Sequence, residues 1–453
     1  MRSAGFPAPA MRKPERRPEA SVTMHPIHAK PPRSATHPAV AASGVIAFLG
    51  AIVALRLLRP FDDDVLHSAM FVIAVTTAAI FAVDLGWQKV HLRASTGLDL
   101  EHDDPSWPRT FVKFAGLLAS IALVALAYCL VPEYHGDLYG NYRDFLRLLI
   151  VPWIALAIPY IYWVDRRMRQ PRDGYWQMGM LVTMRWNALD RGVLVQHLLG
   201  WTIKGYFLAL MFSYMCGDLK WLLLFDFGSL TAFASIYEFA YRFVFFLDVG
   251  IATLGYLMSF RLTDTHLRSA EPTLLGWAVT LACYEPFWSL VGRRYLPYDT
   301  GYPWGAWLAY RPALYAAWGS AILALSAIYV WATVSFGARF SNLTHRGIIT
   351  SGPYRWTRHP AYLAKNLSWW MISVPFMPRG DVGETIARCA MLLGVNLLYY
   401  LRAKTEERHL SRDPAYVQYA LWVEQHGLLR FVKRLPLLRH LAYRPPRHYS
   451  AVA

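Results

Sequence analysis

The chain has 453 residues, 55% of them hydrophobic and 15% aromatic, and only 17% charged. With runs of about 20 mostly apolar residues recurring along it, such a composition excludes an ordinary soluble enzyme and points to an integral membrane protein. The net charge of +16 comes in short basic bursts between the apolar runs. That is the pattern of loops facing anionic headgroups, and it points to a lipid bilayer rather than nucleic acid as partner.

Residues 1–37 are rich in Pro, Arg, Ser and Ala without apolar period and read as a disordered basic cytoplasmic tail. It holds no signal-peptide core, and the loosely spaced His25, His28 and His37 read as solvated rather than metal-binding. An all-α polytopic fold of about ten spans follows. They are expected at 40–58, 67–83, 111–131, 145–163, 193–214, once within 221–260, and at 274–291 and 314–334. A short hairpin of 362–376 and 386–401 ends the series, with Pro378 and Gly380 in its turn.

The tail (Arg12, Lys13, Arg16, Arg17) and the loops holding Lys89 with Arg93 and Arg166 with Arg167 alternate as cytoplasmic. Arg-rich, Lys-poor usage fits a GC-rich bacterium, hence an inner-membrane protein with its C-terminal core facing the cytoplasm. Within 221–260, one span plus a re-entrant piece keeps Arg346, Arg355 and Arg358 inside, and Glu238 with Arg242 pair at i,i+4. The segment 174–192 is amphipathic and is expected in the interface. Cys129, Cys216, Cys283 and Cys389 are scattered packing residues without metal-site or disulfide spacing.

Residues 38–335 carry no motif with readable chemistry and are taken as a multi-span scaffold or entrance. The chemistry gathers in residues 336–435, before a basic tail at 436–453. In SGPYRWTRHPAYLAKNLSWW (Ser351 to Trp370), Gly352 and Pro353 signal a turn, and Pro360 suits the first position of a helix. That helix start, with Arg358 and His359, is expected to face an anion. In LLYYLRAKTEERHLSRDPAYVQY (Leu397 to Tyr419), Arg402 and Glu406 share a helix face, with Glu407 beside them. Asp413 and Pro414 cap a final helix that Gly427 ends. Either half alone reads equally well as a headgroup anchor or a surface ion pair.

The run RGIITSGPYRWTRHPAYLAKN from Arg346, followed by RAKTEERHL, resembles the isoprenylcysteine carboxyl methyltransferase and phospholipid methyltransferase superfamily over about 336–435. The resemblance implies a membrane enzyme that uses S-adenosyl-L-methionine to methylate a lipophilic acceptor, a carboxylate above all. It implies that Arg346, Gly347, Ile348 and Ile349 line the cofactor through backbone contacts, with Tyr354 against it. Arg358, His359, Pro360 and Ala361 would form the central cofactor wall, with Glu406 or Glu407 in contact, and Arg402 would face the acceptor; no metal is implied. By their chemistry, Tyr354, Trp356 or Tyr362 can lie against the adenine or the cation, and His359, Glu406 or Glu407 are the candidates for a base where the acceptor needs one. The chain departs from the pattern at Ala364 and Lys365, where a Gly is usual. The membrane sterol reductases, which bind NADPH, have a similar core, but their Asn is replaced here by Ala361. A non-catalytic membrane protein keeping the fold is the remaining alternative.

Overall fold

The computed structural model describes residues 30–62, 64–299, 302–377, 381–431 and 435–446. Pro378, Gly380, His25 and His28 lie outside them. The chain is built from helices: α1 (Pro38–Leu58), α2 (Val65–Phe81), α3 (Trp107–Leu130), α4 (Gly140–Asp165), α5 (Gly174–Val182), α6 (Arg191–Leu224) and α7 (Phe233–Leu257). The short α8 (Leu274–Leu281), α9 (Phe287–Tyr295) and α10 (Trp304–Leu308) come next. Then follow α11 (Pro312–Val334), α12 (Pro360–Ser373), α13 (Val382–Leu410) and α14 (Pro414–His426). The only paired strands among the described residues are β1 (Ser269–Ala270) and β2 (Thr344–His345), antiparallel, with Ser269 opposite His345.

Helix starts are written locally. The carboxylates of Asp64, Asp173, Asp190, Asp381 and Asp413 accept from free backbone N–H groups at the starts of α2, α5, α6, α13 and α14. Proline occupies the first turn of α1, α11, α12 and α14, where its missing N–H costs nothing.

Eight described helices are long and apolar enough to cross a bilayer: Pro38–Leu58, Val65–Trp87, Trp107–Leu130, Asp137–Asp165, Arg191–Leu224, Phe233–Leu257, Pro312–Val334 and Val382–Leu410. The two further spans expected from the sequence take other forms. Residues 274–291 fall into α8 and α9, separated at Glu285 and Pro286, and α12 has 14 residues, which at 1.5 Å per residue reach roughly 21 Å. The stretch 221–260 contains one span, α7, while Trp221 finishes α6. Arg242 pairs with Asp218 of α6 at 3.2 Å and lies over Trp221, not against Glu238, which is exposed. A partner on the packed neighbouring helix lets Arg242 cover an aromatic face as well as meet a carboxylate.

The largest core joins α1, α2, α6 and α7 around Phe48, Phe207, Phe212 and Phe246. The segment expected at the interface forms α5, which packs on α3 backbone to backbone. A Cβ on Gly116 would sit 2.0 Å from the Tyr175 carbonyl oxygen, and one on Gly179 would sit 1.9 Å from that of Val112.

Residues 30–37, part of the expected disordered tail, run along the region that the resemblance singles out. Ala35 N–H donates to the Ile348 carbonyl at 2.8 Å, Thr350 Oγ1 to the Pro32 carbonyl at 2.8 Å, and Thr36 Oγ1 to the Ser335 carbonyl at 2.7 Å. Gly347 has φ +112, and a Cβ there would meet that of Ala35 at 2.7 Å, so glycine is required for this approach.

Candidate active site

Two hollows meet between α11, α12 and α13. The inner one is narrow, about 100 Å³, and lined by both polar and apolar groups; the outer is a cleft of about 600 Å³. They share Arg358, His359, Tyr362 and Tyr399 as a common wall. Tyr354, Ala361, Arg402 and Glu406 line the inner cavity, and Glu407 lines the outer cleft. The sequence expectation therefore converges in space for eight of its positions.

Arg346, Gly347, Ile348, Ile349 and Pro360 line neither hollow. The Arg346 side chain turns the other way, into a nest of backbone carbonyls. Its guanidinium donates to Gly255 O at 2.5 Å, Phe340 O at 3.1 Å, Thr265 O at 2.7 Å and Met258 O. The Ile348 carbonyl is taken by Ala35, and Gly347 is pressed against it. Pro360 is buried as the first residue of α12. Long-range partners, invisible in a local motif, hold Arg346, Gly347 and Ile348 in these positions.

Arg358 also has a role different from the anion wall expected of it. Its Nε donates to Glu407 Oε1 at 2.8 Å, its Nη1 to Glu424 and its Nη2 to the Leu441 carbonyl at 2.9 Å. Burial opposes its charge, but Glu407 and Glu424 more than offset this and raise its pKa. Glu407 in turn accepts from His359 Nε2 at 3.1 Å and Lys404 Nζ at 2.9 Å. Arg358, His359 and Glu407 thus form an ion-paired node that fixes α12, α13 and α14 together.

Arg402 is the opposite case. It is 5% exposed, and Nη2 donates to Asn342 Oδ1 at 2.6 Å and reaches the Tyr284 hydroxyl at 3.4 Å. Its guanidinium lies 5.4, 5.0 and 5.7 Å from the rings of Tyr284, Tyr362 and Tyr399. Among the described residues no carboxylate comes within ion-pair reach of it. Glu406 does not pair with Arg402; it accepts the Tyr362 hydroxyl at 2.8 Å. The Tyr354 phenol has its pKa pushed well up by burial and by Glu406, so it stays neutral.

Several cavity residues escaped sequence reasoning. Lys365, which stood out only as a departure, projects onto the inner cavity with its ammonium 4.9 Å from the Tyr329 ring and 5.5 Å from Trp369. Asn342 also lines it, just before the motif run at Arg346, as do Glu271 and Tyr284 from before the motif region. Glu271 stands directly before the Pro272 and Thr273 that open an apolar run, a lone acid at a membrane edge; this was the one signal available.

Residues 318–412 match the model of the Isoprenylcysteine carboxyl methyltransferase (ICMT) family. No curated protein and no solved structure matches the chain. The protein is thus a polytopic membrane protein in which residues 318–412 are similar to the ICMT family. The ICMT match begins within α11 and ends just before the Asp413 cap. Glu271 and Tyr284, together with α14 and residues 440–442 along the cleft, lie outside it.

Proposed function

We propose that the protein transfers the methyl group of S-adenosyl-L-methionine to a carboxylate on a lipophilic acceptor that arrives from the bilayer, at a core facing the cytoplasm. The observation that carries this reading is Arg402: a buried guanidinium held by one amide and three tyrosine rings, with no carboxylate among the described residues to neutralise it. A buried cation without a counterion is costly, and an anionic guest offsets that cost. The donor set fits the cofactor's chemistry: Arg402 for a carboxylate, Glu406 as acceptor, and tyrosine faces for a cation.

S-adenosyl-L-methionine, when bound, supplies a methyl on a positively charged sulfur; the acceptor's carboxylate oxygen bonds to that carbon as the carbon–sulfur bond breaks, the electron pair staying on sulfur. The chain's part is to bind, orient and exclude water. Two opposite charges disappear together in such a transfer, so a dry cavity favours it over solvated ions. Carboxylates need no base at neutral pH, which suits a site where His359 is already engaged by Glu407. The outer cleft has the matching character. Lys404 and His440 stand among its polar lining, while Leu363, Leu367, Leu393 and Leu397 are exposed at its apolar side. A lipid tail fits the second and a charged head the first.

The test is equilibrium binding to the purified protein in detergent. Saturable binding of S-adenosyl-L-methionine or its demethylated product, together with transfer of labelled methyl into base-labile lipid products, is expected. Binding of NADPH instead, or label only in water-soluble products, would overturn the reading.

A further inference from the structure

Glu271 lies outside the matched region, yet its carboxylate reaches the inner cavity. The residue is 2% exposed and held from several sides. Its N–H donates to the Leu343 carbonyl at 2.8 Å, extending the β1–β2 pairing, and its carbonyl accepts Trp277 Nε1 at 2.8 Å. One carboxylate oxygen, Oε1, accepts the Thr273 N–H at 3.0 Å and the Thr273 hydroxyl; that hydroxyl in turn caps α8 by accepting Gly276 N–H at 3.2 Å. Gly276 leaves the room this needs, since a Cβ there would stand 2.5 Å from Glu271 Cγ.

The other oxygen, Oε2, is buried and accepts no hydrogen bond. His409 Nδ1 is 3.7 Å from it, beyond hydrogen-bond reach, and Arg408 is 3.9 Å from Oε1. A carboxylate held through one oxygen, with the second buried and left without a hydrogen-bond donor, on a residue that lines the cavity, is incompletely satisfied. The same cavity is lined by Arg402, a cation lacking an anion. A carboxylate with one oxygen free of hydrogen bonds and a guanidinium with no carboxylate in reach among the described residues, both on one narrow hollow, are the complement of a zwitterion.

We infer that Glu271 binds the ammonium of the amino-acid end of the methyl donor, while Arg402 takes its carboxylate. This rests on the methyl-transfer reading and adds a residue from the α7–α8 connection to the donor site. The multi-span region then takes part in cofactor recognition as well as in scaffolding.

The experiment compares two probes on the purified full chain by calorimetry: S-adenosylhomocysteine, which carries the amino-acid end, and 5′-methylthioadenosine, which lacks it. In Glu271→Gln, which keeps the shape, affinity for S-adenosylhomocysteine is expected to fall about tenfold, the range of one charge-assisted hydrogen bond, with methylthioadenosine unchanged. Gly276→Ala, which keeps the charge but displaces the carboxylate, is expected to give the same selective loss. Equal loss for both probes, or loss for neither, would overturn the assignment. Tighter S-adenosylhomocysteine binding in Glu271→Gln would overturn it too, because it would put Glu271 against the ligand's carboxylate. Wild-type protein that binds neither probe would refute the methyl-transfer reading and this contact with it; wild-type binding without the selective loss refutes the contact alone.

Discussion

Arg346 and Arg402 are both buried arginines of the C-terminal region, and their surroundings could hardly differ more. Around Arg346, carbonyls from the end of α7, the loop after it and the turn at Phe340 converge on one guanidinium. Around Arg402 stand one amide oxygen and three aromatic rings. A cation completed by the chain's own oxygens is a structural clamp, whereas one completed on only part of its donor fork has capacity left for a guest. The arginine that heads the family-like motif is the clamp. Its counterpart on α13 is the proposed receptor.

The sharpest way to break this contrast is Arg346→Met. It leaves several buried carbonyls without a donor and is expected to destabilise the protein by on the order of 3–5 kcal/mol, read as a large fall in the unfolding midpoint in detergent. A stable Arg346→Met protein that had lost only ligand binding would exchange the two roles. Arg402→Met should do the reverse. S-adenosylhomocysteine binding is expected to weaken by about 10- to 100-fold, while the unfolding midpoint holds or rises as an unpaired buried charge is removed.

A smaller effect is expected at Asp413, the cap of α14. Burial raises its pKa, but His345, at 3.2 Å, and the Ala415 N–H outweigh this and lower it. A folded-state value below the unfolded one gives stability that is present above about pH 4 and lost as pH falls further. Asp413→Asn keeps the cap. Its deficit should be at most about 1 kcal/mol, since the carboxylate is partly exposed, and should shrink as pH falls below about 4 in unfolding scans taken across pH. Smallest of all, Arg242→Gln should cost a few tenths of a kcal/mol through Asp218, and Glu238→Gln nothing measurable. Equal effects at the two positions would restore the pairing expected within α7.

What the sequence made legible follows the range of the forces involved. Apolar length marks α1 to α4 and α11 within a few residues, and the Asp413–Pro414 start of α14 is a local signal read as such. Helical spacing and the His359–Pro360 junction bring His359, Tyr362, Arg402 and Glu406 to one hollow. The surroundings of Arg346, Gly347 and Ile348 were not legible because their partners, Ala35 and the 255–265 connection, are distant in sequence. Glu271 was out of sight because its position depends on a cap, a two-residue strand pair and a glycine acting together. The break between α8 and α9 was hidden within one apolar run, where hydropathy reports solvent preference and not continuity.

Residues 440–443 close the outer cleft. The Leu441 carbonyl accepts from Arg358, that of Ala442 from Lys404 at 3.5 Å, that of His440 from Tyr400 at 3.3 Å, and Tyr443 N–H donates to Glu424 at 3.0 Å. All eight crossing helices precede this segment in the chain. During synthesis every one of them leaves the ribosome before that wall exists, so chain direction imposes an order on assembly: the helices that bear the apolar side of the cleft are made before the segment that completes it.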